Sequence, residues 1–145
     1  MTNETTKPET IETCFAQIED LYGSLPVSKD QPDLHEKPIE ENKAILSIKR
    51  VEAHDAYSVS LAGFRFFIKK REGVASFKIP SILIGSRYSL PPEHIQVSAI
   101  EGIRTNVTRE LVSWAVRAYQ ANTVSDFPYQ PSYDTGSPTT PPTRG

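Results

Sequence analysis

Apolar positions recur along this chain with two different periods, and each period marks a kind of element. Ile11, Phe15, Ile18 and Tyr22 fall three or four residues apart, with Cys14 and Leu21 beside them, which predicts a short amphipathic helix over residues 10–22. Thr10 stands where an N-cap belongs, Glu12 lies in the first turn where a negative charge favours the helix, and Gly23 follows as a stop. A helix this short does not hold in water alone, so its apolar stripe must dock on the rest of the chain or on a protein partner. Near the other end, Val107, Leu111, Trp114, Ala115 and Ala118 form a second stripe, widened by Val112, Val116 and Tyr119, which predicts a longer helix with Asn106 as its cap. Between the two helices the period drops to two. "KAILSIKRV", "AYSVSLAG" and the two halves of "GFRFFIKKREGVASFKIPS" read as strands, with Gly73 in the turn between the last pair. "SILIGSRY" extends the last strand or adds a short one, and "PPEHIQVSAIEGI" fits either a strand or a helical turn. The predicted class is α+β: an antiparallel sheet of about four strands, one C-terminal helix packed on one face, and a short N-terminal helix.

That arrangement leaves the other face of the sheet bare, and alternation says what it carries. Successive strand residues point to opposite sides. Phe64, Phe66 and Ile68, with Ala75, Phe77 and Ile79, are expected beneath the helix. Val74 and Ser76 are expected on the open side, together with Arg65, Phe67, Lys69, Arg71 and Lys78. Lys49 joins them from the first strand, and Arg87 from a flanking loop. Cations around one aromatic ring suit single-stranded nucleic acid: the cations follow the phosphates and the ring stacks on a base, with Phe67 as the stacking residue. The same residues also fit a plainer role, because lysine and arginine on edge strands prevent aggregation and single exposed apolar residues are common.

Charge sharpens the division of the chain. Residues 1–42 hold three lysines against ten acids, a net −7, whereas residues 43–121 hold twelve cations against six acids, a net +6. The predicted organisation is an acidic arm with a helix and a linker (1–42), a basic α+β domain (43–121) and a Pro-rich disordered tail (122–145). The arm competes with nucleic acid for the basic groove, or simply keeps the chain soluble. The polar first ten residues show no signal peptide, and no apolar run approaches the length of a membrane span, so a cytoplasmic protein without membrane contact is expected. Cys14 is the single cysteine, and none of His35, His54 and His94 has a partner at metal-ligand spacing. No catalytic constellation can be assembled, so no cofactor, no metal and no enzymatic activity are expected.

The order of these parts resembles the SpoVG family of bacterial septation regulators over residues 63–119. The matching positions are Gly73, Phe77, Pro80 and Ser81 at the strand end, then Thr108, Arg109, Leu111 or Val112, Ala115, Val116 and Tyr119 on the helix. The run from Gly73 to Pro80 is longer by about two residues than that family's, and its acidic loop before the helix is missing. A second similarity, through "KKREGVASFKIP" and "YSLPPEHI", is to single-stranded DNA binders of the positive-cofactor and Whirly type. The first resemblance implies a dimeric nucleic-acid-binding regulator. Both bear on the leading expectation: a non-enzymatic, homo-oligomeric protein that binds single-stranded DNA or RNA as a regulator or protector. The alternative is an assembly, adaptor or virion structural protein that oligomerises through its sheet. It would reach partner chains through Ile11, Phe15, Ile18 and Tyr22 and through its C-terminal tail.

Overall fold

The computed structural model describes residues 10–84, 88–90 and 92–129. Helix α1 (Ile11–Ser24) starts where the pattern placed it. The Thr10 hydroxyl accepts from the Thr13 N–H at 3.1 Å, and the Thr13 hydroxyl accepts from the Thr10 N–H at 3.0 Å, so the cap is reciprocal. Gly23 does not end the helix, which runs on to Ser24 and stops where Leu25 turns extended. Strands β1 (Leu34–Ile39), β2 (Ala44–Val51), β3 (Ala56–Leu61), β4 (Phe64–Lys69) and β5 (Gly73–Ile79) follow as an antiparallel meander. β6 (Ile82–Ile84) and β7 (Tyr88–Leu90) pair with each other as a separate hairpin, and β8 (Glu93–Gln96) returns to pair with β5. Helix α2 (Glu101–Ala121) follows β8.

The class is α+β, as expected, but the main sheet has six strands, in the order β1-β2-β3-β4-β5-β8, not about four. β1 lies inside the stretch read as a linker. Pro38 and the charges around it hide the alternation, and the proline is tolerated because β1 is the edge of the sheet. β8 comes from the segment whose pattern was ambiguous. Helix α2 begins at Glu101, so Asn106 is not its cap but an exposed residue inside the helix. The N-cap position is Ile100, with no side-chain cap; the Ser98 hydroxyl accepts from the Ile100 N–H in the turn leading into the helix.

Both helices lie on one side of the sheet. From the sheet, Leu46, Ile48, Val59, Leu61, Phe66 and Ile68 are fully buried; from α2, Leu111, Val112, Trp114, Ala115 and Ala118 are; from α1, Cys14 and Ile18. The apolar stripe of α1, open on sequence grounds to the body or to a partner, is thus taken by the body, with Phe15 against Tyr57 at 5.3 Å. Tyr22 stacks on His35 at 3.7 Å and donates its hydroxyl proton to the Asp33 carbonyl. Burial pushes the Cys14 thiol up to about 11, which makes it an inert core residue.

The packed body also extends past residue 121, where the sequence reading ended it. Phe127 is buried, stacked on Phe64 at 4.1 Å and edge-on to Trp114 at 4.9 Å, and the Trp114 indole N–H donates to the Ser125 carbonyl at 2.9 Å. One aromatic ring pins a segment whose prolines had read as a tail. The expectations for residues 1–9 and 130–145 lie outside the described residues.

Candidate nucleic-acid interface

The open face is built by alternation, corrected at one point. In β4, Phe66 and Ile68 are buried toward the helices, while Arg65 is exposed and Phe67 and Lys69 are half-buried on the other side. In β5 the strict alternation fails. Phe67 pairs with Ser76, but the next residue, Ile68, pairs with Val74, so Ala75 is an extra residue in a β-bulge. Val74, expected on the open face, is therefore turned inward and fully buried, and the Ala75 expected beneath the helix is only half-buried. Past the bulge the phase is as read from the sequence, with Phe77 and Ile79 buried and Ser76 and Lys78 outward.

The bulge is locked from the helix side. The Val74 N–H donates to Thr108 Oγ1 at 3.0 Å, and that hydroxyl donates to the Arg104 carbonyl at 2.7 Å; Thr108 is fully buried. Gly73 precedes the bulge with φ +77°, and a Cβ there would meet Thr108 Oγ1 at 2.7 Å. Glycine is required twice over, by backbone conformation and by space.

Of the six site residues read from the sequence, the fold brings four together. Arg65, Phe67, Lys69 and Lys78 share the open face. Arg71 does not, because β4 ends at Lys69 and Arg71 lies exposed in the turn of residues 70–72. Arg87 lies outside the described residues. The Phe67 ring is half-buried with His54 edge-on at 6.3 Å. Lys69 Nζ lies 3.7 Å from the Glu72 carboxylate, whereas Arg65, Lys78 and Lys49 have no ion pair among the described residues.

The fold adds residues to this face. Ser58 and Ser76 flank Phe67 directly across the ladders on either side, and β8 contributes His94, opposite Lys78, and Gln96, opposite Ser76. All of these but Gln96 border a concavity of about 510 Å³, whose lining also includes Arg65, Phe66, Phe67, Phe77 and Lys78. The His94 ring nitrogen Nε2 lies 3.1 Å from Ser76 Oγ. The signal for His94 was present in "EHIQ", where Ile95 faces in and its neighbours face out. Only the pairing of β8 with β5 places that segment beside Lys78.

Among the described residues, no group of three or more His, Cys, Asp or Glu side chains is placed to hold a metal ion, and no helix is long and apolar enough to cross a membrane. No family model, curated protein or solved structure matches the chain, so what this face binds has to be read from its own side chains.

Proposed function

We propose that this protein is a non-enzymatic binder of single-stranded DNA or RNA, acting as a regulator or protector through the open face of its sheet. The observation that carries the reading is the Phe67 ring, left uncovered by either helix and set with Arg65 and Lys78 around a concavity, with Lys69 two residues further along the same strand face. A half-exposed ring in a core-forming strand gains little for stability; beside Arg65 and Lys78, which have no ion pair among the described residues, it gives a stacking platform next to phosphate contacts. Titration of a labelled 12-residue single-stranded oligonucleotide at several salt concentrations tests this. Three phosphate contacts give a slope of log affinity against log salt of about −2. Replacing Lys69 and Lys78 with alanine makes that slope shallower by about 0.7 per lost contact. A salt-independent or undetectable interaction overturns the reading.

One observation favours an assembly role, by way of the start of α2 and not of the sheet or the α1 stripe expected from the sequence. Ile100 and Ile103, at the start of α2, are 66% and 46% exposed. Concentration-dependent light scattering that disappears in an Ile100→Ser, Ile103→Ser double variant, with no oligonucleotide binding by the parent protein, would establish that alternative in its place.

A further inference from the structure

The register of the ladders arranges the open face in two parallel rows. One runs Ser58, Phe67, Ser76, Gln96 across β3, β4, β5 and β8; the next runs Ser60, Arg65, Lys78, His94 across the same four strands. Neighbouring strands lie about 4.8 Å apart, and residues two apart along a strand lie about 7 Å apart, so the rows are separated by roughly the second distance. The first row holds an aromatic ring with a serine on each side. The second holds, in sequence, a guanidinium, an ammonium and an imidazole.

Serine matters here for its size. A leucine or phenylalanine at position 58 or 76 would stand against the Phe67 ring and close the space beside it. With serine at both positions the concavity remains, lined by the ring, by Ser58 and Ser76 and by Phe66 and Phe77, and bordered by His94, whose Nε2 lies 3.1 Å from Ser76 Oγ. Arg65 and Lys78 flank the same space from the other row.

Resting on the single-strand reading above, we infer that this concavity is a slot for one unpaired nucleotide. Its base lies against Phe67 over Ser58 and Ser76, and its flanking phosphates lie on the Arg65–Lys78–His94 row. The nucleic acid therefore runs across the β-strands, not along them. A base inside a duplex has both faces stacked and its pairing edge occupied, so it cannot enter. The recognised unit is a few unpaired nucleotides, and Ser58, Ser76 and His94 are specificity residues as much as the cations are affinity residues.

The test separates slot from charge. Ser76→Leu fills the slot and leaves every cation in place; Phe67→Leu removes the ring without adding bulk and serves if the first variant does not fold. Ser47→Leu, on the same face but away from the concavity, is the control. Competitors against a labelled 12-residue single strand are a trinucleotide, a mononucleotide, the matching duplex and tripolyphosphate. Each slot variant is expected to weaken single-strand binding roughly 5- to 150-fold, the span of one lost stack. The salt slope and tripolyphosphate binding are expected to stay unchanged, and the duplex to compete less well than the single strand by a similar factor. Slot variants that bind like the parent, or a duplex that competes equally, overturn the slot while salt-dependent binding by the parent still supports the wider reading. A mononucleotide that competes as well as the trinucleotide overturns the strand-laying part and makes the ligand a free nucleotide. Loss of all binding by the parent protein overturns both.

Discussion

The two faces of the main sheet are made from the same strands, one residue out of step, and they have opposite character. Toward the helices stand Leu46, Ile48, Val59, Leu61, Phe66 and Ile68, all fully buried. Away from them stand Lys49, Ser58, Ser60, Arg65, Phe67 and Lys69, at the alternate positions of the same three strands. On the function proposed above, stability belongs to one face and recognition to the other, with nothing but the pleat dividing them. Neighbouring residues in one strand should therefore give unrelated phenotypes.

Phe66 and Phe67 break that comparison most directly. Phe66→Ala is expected to cost about 3–5 kcal/mol in chemical denaturation, because it empties a closed core site. Phe67→Ala is expected to stay near parental stability and lose oligonucleotide affinity; similar stability losses for both would mean that the open face is closed. Phe127→Ala comes next at about 3 kcal/mol, since its ring fills the corner formed by Phe64, Phe77 and Trp114. An unchanged melting curve would detach residues 122–129 from the core. Thr108→Val keeps the shape and strands the Val74 N–H, for about 2 kcal/mol. A Ser60→Val change on the open face should fall well below that.

The smallest effect lies at the edge of the sheet. Glu40, in the β1–β2 turn with φ 57°, accepts the Thr123 hydroxyl at 2.6 Å, and chiefly that bond holds its carboxyl below the ordinary carboxylate range. A depressed carboxyl contributes stability that is present above its unfolded pKa and lost as pH falls through the folded one. Glu40→Gln should therefore melt slightly earlier than the parent at neutral pH, and the gap should close in acid. A gap that persists in acid would show that the bond's proton linkage is not the cause.

How much of this was legible in the sequence depended on whether a residue's role was local. The capped start of α1, the apolar stripe of α2, the positive φ of Gly73 and the outward turn of Arg65, Phe67 and Lys78 all follow from spacing and turn chemistry. Val74 does not. Its inward turn needs the extra residue at Ala75, and the bulge needs the Thr108 hydroxyl from a helix far along the chain. β1 stayed hidden because an edge strand tolerates Pro38 and shows one buried residue, Ile39, in place of an alternating row. Phe127 was lost among prolines, since composition averages over a segment while one ring decides whether it is pinned. The concavity was invisible for a related reason: serines are unremarkable in a strand, and Ser58 and Ser76 open a space only when pairing sets them on either side of Phe67.

The contact between α1 and α2 has a consequence for the way the protein is made. Helix α1 is completed by α2, and every strand of the main sheet lies between them in the chain. A nascent chain that has not yet released α2 carries two greasy surfaces, along α1 and under the sheet, waiting for the same absent helix. Long-range closure of this kind is slow, and the waiting species is the aggregation-prone one. Limited proteolysis of a truncation series is expected to show α1 protected only in chains long enough to include α2 and Phe127.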